Sequence, residues 1–323
     1  MPRHRHHPKP NHPKPRRTGR RGAVALAVAL PLLVGACTAT AGETPPATSE
    51  VVAAPDRQSL DAKIEALEAQ YATRIGVTAV DPATGAVYSH RGDERFAMCS
   101  TFKAYASAAV LRKIEDGSTS LDKTVVIEPG DLVENSPVTA AAVGTPMTLG
   151  QIAEAALTRS DNTAGNYLLR EIGGPQAITA LARDLGDEST RLDRWETELN
   201  TAFRGDPRDT TTPTGLAQGF RALLLDDALD AASRDQLLDW MRASKTSDKR
   251  MRAGLPPGWT TADKTGGGGF GTANDAGVAW SPDGSPVVLA VLTDSLTNQE
   301  DAQGNNQAIA DTTAAVIEGL TAP

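Results

Sequence analysis

The sequence predicts an α+β fold: one antiparallel β-sheet built from both ends of the folded chain and flanked by terminal helices, with a mostly helical subdomain inserted between them. Three observations point there. An amphipathic helix pattern near residue 57 runs into a hairpin pattern, two strand patterns run into a helix pattern at the other end, and the Ala- and Leu-rich stretch between them reads as helices.

The elements follow in order. Leu60, Ile64, Leu67 and Tyr71 recur at intervals of 4, 3 and 4, which lines one face of a helix. Ile75, Val77, Ala79 and Val87 flank the turn residues Asp81-Pro-Ala-Thr-Gly85 and predict a hairpin. Helices are predicted over Thr101 to Glu115, Leu149 to Leu157, Ala164 to Glu171 and Pro175 to Leu185. A strand from Trp259 is expected to end on Lys264-Thr265-Gly266 and pass into the run Gly266 to Gly269. Gly277 to Trp280 and Val287 to Leu292 read as strands joined across Pro282-Asp-Gly-Ser285, and residues 301 to 319 as a helix. The folded domain therefore spans 57–323, its α/β part about 57–91 and 250–323 and its helical part about 92–249. No internal repeat is present.

Composition bounds the function. The 323 residues carry 32 Lys+Arg against 40 Asp+Glu, a net charge of -8, with 40% apolar and 22% charged residues. That is an ordinary soluble balance, and no apolar run reaches the roughly 20 residues of a bilayer-spanning helix. Eight of the basic residues lie between Arg3 and Arg21, where there is no acidic one, so the remainder carries -16. A body that acidic repels phosphate backbones, which argues against a nucleic-acid partner.

The basic start belongs instead to targeting. It precedes the apolar stretch Gly22 to Val34 and then Gly35-Ala36-Cys37, so residues 1–36 read as an export signal. Small residues directly before a cysteine resemble a bacterial lipobox, in which Cys37 becomes the lipidated first residue outside the cytoplasmic membrane; the alternative is a plain cleavable signal. The arginine pairs Arg16-Arg17 and Arg20-Arg21 leave the twin-arginine route open beside the general one. Residues 37–56, rich in Pro, Thr and Ala, read as a disordered tether.

Histidine and cysteine counts exclude more. Four of the five histidines lie in the signal, leaving His90, and the cysteines are Cys37 and Cys99. No multi-histidine or thiolate metal site can be assembled from these, and no metal or other cofactor is expected. His90, beside Arg91-Gly92-Asp93, reads as an exposed strand end rather than a triad base. Hydrolytic chemistry in this chain should therefore use Lys or Glu as its base.

Ser100-Thr-Phe-Lys103 opens a predicted helix, and the spacing of three sets hydroxyl and amine on one face. The helix start directs unpaired N–H groups and the positive dipole end at the serine. A nearby amine can then take its proton. Alone the motif is weak: roughly one Ser-x-x-Lys is expected per chain of this length, and Ser120-Leu-Asp-Lys123, in a polar loop, is a second one. Ser160-Asp161-Asn162 and Lys264-Thr265-Gly266 follow in order, and the three together make coincidence a poor account. Asp161 also suits a helix cap.

In that order these motifs resemble the serine β-lactamases of class A and the penicillin-binding proteins. The resemblance runs over about residues 57–320, and Arg194-Trp-Glu-Thr-Glu-Leu-Asn200 decides for the class A branch. It implies that Ser100 is the nucleophile, with Lys103, Ser160, Glu196 and Lys264 as catalytic partners. It also implies that Glu196 and Asn200 hold the deacylating water, that the N–H groups of Ser100 and Gly267 form the oxyanion hole, and that Arg194 and Asp209 form a loop-closing ion pair. Asn162, Asn200, Thr265, Gly266 and Arg250 are the implied substrate-binding residues. Arg250 enters because the strand after Lys264 carries no arginine for the substrate carboxylate. Cys99 matches a disulfide-forming position in some relatives, but Gly268 stands where its partner would be.

The resemblance implies hydrolysis of penicillins and cephalosporins through a Ser100 acyl-enzyme, by a monomer needing no cofactor and meeting the membrane only through an N-terminal lipid. The rivals are a D-alanyl-D-alanine peptidase and an inactive ligand-binding lipoprotein of the same fold. A peptidase would not need Glu196, and an inactive protein would not need its motifs intact.

Overall fold

The computed structural model describes residues 57–321; the expected signal, tether and Cys37 lie outside them. The chain opens with α1 (Arg57–Tyr71), β1 (Thr73–Val80), β2 (Val87–His90) and the short β3 (Phe96–Ala97). It continues through α2 (Phe102–Glu115), β4 (Thr124–Val126), β5 (Pro146–Thr148), α3 (Leu149–Thr158), α4 (Asn162–Ile172) and α5 (Gln176–Asp184). After β6 (Thr210–Thr211) come α6 (Pro213–Leu224), α7 (Ala231–Arg242) and the short α8 (Met251–Gly254). Last are β7 (Thr260–Gly268), β8 (Thr272–Trp280), β9 (Pro286–Ser295) and α9 (Asn306–Thr321).

The main sheet has the order β2-β1-β9-β8-β7, every neighbour antiparallel. Strands from both ends thus meet at its centre, as the paired hairpin patterns predict. Alternation along β9 divides the core. Val287, Leu289 and Val291 join Leu60 and Ile64 of α1 and Ile309, Val316 and Ile317 of α9 on one face. Val288, Ala290 and Leu292 turn the other way, into a cluster with Leu216 and Phe220 of α6. That second cluster continues around α2, whose Phe102, Ala104, Tyr105, Ala106 and Ala108 are buried.

Local chemistry accounts for the helix boundaries. The Thr148 side chain accepts from Gln151 N while Gln151 returns a bond to the Thr148 backbone, a capping box at the start of α3. Asp161 caps α4 by accepting from Ala164 N, and Gly173 ends it in the left-handed region.

Three sequence expectations need correction. His90 does end β2, but its side chain is only 11% exposed, lying between Asp61 (3.6 Å) and Glu68 (3.8 Å) of α1. β7 does not stop at Gly266: its pairing with β8 continues through Gly268, opposite Thr272. The C-terminal helix starts at Asn306 rather than near 301.

Candidate active site

Ser100 sits in a single 3-10 turn, Cys99–Thr101, that leads straight into α2. Cys99 has a φ of 45°, a left-handed backbone that costs a side chain about 1 to 3 kcal/mol. This bend sends Ser100 into the site, where the residue is 6% exposed. One helical turn on, Lys103 is fully buried, and its Nζ donates to Ser100 Oγ at 2.9 Å. The same nitrogen reaches Ser160 O at 2.9 Å, Asn162 Oδ1 at 2.6 Å and Glu196 Oε1 at 2.8 Å. Lysine, serine and glutamate therefore touch in one buried pocket, Ser100 Oγ lying 3.5 Å from Glu196 Oε1.

Glu196 is presented by the segment between α5 and β6. Its backbone N–H donates to Asn166 Oδ1 (2.9 Å) and its carbonyl accepts from Asn166 Nδ2 (3.0 Å), so α4 grips it from both sides. Asn200, at the end of a 3-10 turn, donates to Glu196 Oε2 at 2.5 Å while its Oδ1 is buried without a protein partner. The loop is closed by Asp209, whose carboxylate accepts from Asp193 N (2.7 Å), Arg194 N (2.9 Å) and Arg194 Nε (2.5 Å). Asp209 is itself left-handed, with φ 55°, and four hydrogen-bonding atoms from its neighbours over-determine that geometry.

Ser160, also left-handed at φ 57°, links the two lysines: its carbonyl faces Lys103 and its Oγ accepts from Lys264 Nζ at 3.0 Å. Burial, reinforced by the charge of Lys103, holds the Lys264 amine well below the usual lysine range.

β7 is the edge strand next to the Ser100 turn, so its outward N–H groups are not used by the sheet. Glycine makes the approach close. A Cβ on Gly266 would lie 2.9 Å from Met98 O, and one on Gly268 would lie 2.8 Å from Cys99 Sγ. Gly267 stands between them on the strand. Cys99 is a buried free thiol, and burial pushes its pKa up to about 12.

Arg250 lies under this edge. Its Nη1 donates to Gly266 O (2.6 Å) and Asn274 O (2.8 Å), and its Nε to Asn306 Oδ1 (2.7 Å). Nη2 remains, within 3.9 Å of a Cβ position on Gly267. Thr265 Oγ1 is paired with Thr246 Oγ1 at 2.7 Å. The structure thus gathers Ser100, Lys103, Ser160, Asn162, Glu196, Asn200 and Lys264 in one hydrogen-bonded network, with Thr265, Gly266, Gly267 and Arg250 along its β7 wall; Arg194 and Asp209 brace it from behind. Sequence reasoning missed Asn166, Thr246 and Asn274; the only signal for Asn166 was its place one turn after Asn162.

This geometry has relatives. The profile of the Beta-lactamase enzyme family matches residues 59–320. The β-lactamase FAR-1 of Nocardia farcinica is 46% identical over 307 residues, covering 94% of this chain and 97% of that one. The β-lactamase AST-1 of Nocardia asteroides is 46% identical over 301 residues, covering 92% and 94%. Among solved structures, a β-lactamase from Desulfarculus baarsii superposes with a TM-score of 0.80 at 42% identity, over 83% of this chain and 99% of that one. A class A β-lactamase of the last common ancestor of Gram-negative bacteria superposes with a TM-score of 0.77 at 50% identity, over 80% and 98%. Family profile, near-full-length relatives and shared fold agree with the serine–lysine–glutamate pocket: the chain belongs to the β-lactamase enzyme family, as a class A serine enzyme.

Proposed function

We propose that the protein hydrolyses the amide bond of β-lactam antibiotics, penicillins and cephalosporins, through a Ser100 acyl-enzyme, and so confers resistance to them. The observation that carries this reading is Glu196, buried with one carboxylate oxygen on Lys103 and the other on Asn200. A penicillin-binding peptidase does not need that glutamate. An inactive binding module does not need a buried amine 2.9 Å from the serine.

Ser100 Oγ attacks the lactam carbonyl and gives up its proton to Lys103, or to Glu196 through a water. The oxyanion draws on the N–H groups of Ser100 and Gly267, each typically worth about 3 to 4 kcal/mol. As the C–N bond breaks, Ser160 passes its proton to the lactam nitrogen and takes up the proton released by Ser100, so the acylation base is free again, and Lys264 supports that hydroxyl. A water held between Glu196 and Asn200 Oδ1 then loses a proton to Glu196 and attacks the ester carbonyl. The ester C–O bond breaks, Glu196 returns that proton to Ser100 Oγ, and the opened product leaves. The substrate carboxylate is taken by Thr265 and by the charged N–H groups of Arg250 Nη2, the guanidinium being held in place by its other nitrogens.

Support for export rests on the sequence of residues 1–37. The protein is exported, lipidated on Cys37, and acts as a monomer outside the cytoplasmic membrane. A mature chain beginning downstream of Cys37, or lacking acyl mass, would overturn the anchor.

The enzymatic reading is tested by hydrolysis of a chromogenic cephalosporin by the purified protein, followed by intact mass. Many turnovers with little adduct are expected. With Glu196→Ala, an acyl adduct should accumulate on the peptide containing Ser100, and with Ser100→Ala neither turnover nor adduct should remain. A single stoichiometric burst by the wild type would mean a penicillin-binding protein instead.

A further inference from the structure

Asn274 has no part in the mechanism above, yet its side chain ties together three stretches of backbone. It lies on β8 directly opposite Gly266 and is fully buried. Its Nδ2 donates to the carbonyl oxygens of Ala97 (2.9 Å) and Met98 (3.3 Å), while its Oδ1 accepts from Thr293 N of β9 (3.3 Å). One amide therefore joins β8 and β9 to the link that leads into Ser100. The opposite side of that link is held by Met98 N, which donates to Asp209 O at 2.9 Å. The seam is tight. A Cβ on Gly266 would lie 3.1 Å from Asn274 Nδ2 and 2.9 Å from Met98 O, so the amide sits where β7 meets the Ser100 turn.

We infer that Asn274 is a positioning residue for the oxyanion hole: by clamping the Ala97 and Met98 carbonyls to β8 opposite Gly266, its amide fixes the N–H of Ser100 relative to the N–H of Gly267. This rests on the acyl-enzyme reading above and assigns that site one more residue. The two proposed donors sit on different segments, a helix-opening turn and a sheet-edge strand. Sheet pairing with β8 locates the second but not the first. The Asn274 side chain joins the two frames, because it belongs to β8 and bonds to the backbone just before Ser100.

The chemistry makes the spacing matter. A tetrahedral oxyanion is stabilised only where both donors lie about 2.7 to 3.1 Å from it, and a misplacement of roughly 1 Å costs on the order of a hundredfold. Carboxylate binding goes through other groups. Arg250 does touch Asn274, but at its backbone carbonyl, which a side-chain substitution leaves in place. Asn274→Ala should therefore lower kcat by about ten- to a hundredfold while KM stays within about twofold.

A purely structural amide would lower the melting temperature alone, so the decisive readout is spectroscopic. In the Glu196→Ala protein acylated by a cephalosporin, the infrared band of the ester carbonyl reports the hydrogen bonds it receives. Adding Asn274→Ala should move that band to higher wavenumber. Asn274→Asp, which keeps the shape and the acceptor for Thr293 N, should do the same should the alanine variant not fold. A lowered melting temperature with an unmoved band and unchanged kcat would overturn the inference. A wild type that does not turn over, or a Glu196→Ala protein without an adduct on Ser100, would instead sink the underlying acyl-enzyme reading and the inference with it.

Discussion

Asp275 and Cys99 are buried groups whose ionisation the fold suppresses. Burial, then the nearby charge of Asp263, pushes the Asp275 carboxyl from its ordinary 3.8 up to about 8. Its Oδ2 accepts from Ser247 Oγ (3.0 Å) and Met251 N (3.1 Å), while Oδ1 is buried without a partner. Because the folded pKa is raised, the native state holds a proton that the unfolded chain has lost. The stabilisation is full below about pH 4 and disappears progressively as pH rises to about 8. Asp275→Asn should therefore melt higher than the wild type at pH 8, and the gap should narrow at pH 5; a gap independent of pH would refute the linkage. The Cys99 thiol, with its pKa near 12, should resist alkylation in the folded protein and react only in denaturant. Arg250→Ala should raise KM roughly ten- to a hundredfold, the loss of a charge-assisted hydrogen bond, measured by steady-state kinetics. At this scale the sequence was legible where chemistry demands a fixed spacing, as between Ser100 and Lys103 or Glu196 and Asn200. Asn166 and Asn274 escaped because each serves by bonding to backbone from a distant segment, which leaves no local pattern.

Among the elements, the segment from Arg194 to Asp209 carries Glu196, the proposed deacylating base. The Asp209 side chain is 1% exposed and that of Arg194 13%, so removing the acid strands a partly buried guanidinium and two backbone N–H groups. Asp209→Ala should cost about 3 to 5 kcal/mol in denaturant titrations, as breaking a buried pair does. It should also slow deacylation more than acylation, leaving a detectable adduct by mass; equal slowing of both steps would count against a loop whose business is Glu196. Helices were readable from apolar spacing and caps, hence α3 and α4 fall within two residues of expectation. β7 was not, because four consecutive glycines look like an ending, whereas here they let an edge strand run on past Ser100 without a side chain in the way.

At the scale of the whole molecule, the sheet depends on helices from both ends of the folded domain. Ile317 of α9 is 1% exposed in the cluster that contains Ile64 of α1. Ile317→Ala should lower stability by about 2 to 5 kcal/mol with kcat unchanged in the folded fraction, as seen by urea melts and active-site titration. The antiparallel sheet closed from both ends was legible because each end carries its own strand and helix pattern; the strand order was not, since pairing between distant segments leaves no sequence period. β1 pairs on one side with β2, close in sequence, and on the other with β9, from Thr73↔Ser295 to Val80↔Val288. β9 must therefore be synthesised before β1 acquires its second neighbour. Until then β1 carries an open edge that invites intermolecular pairing. The sheet is thus completed only after β9 has emerged, and a chain truncated before β9 is expected to aggregate rather than retain a partial enzyme.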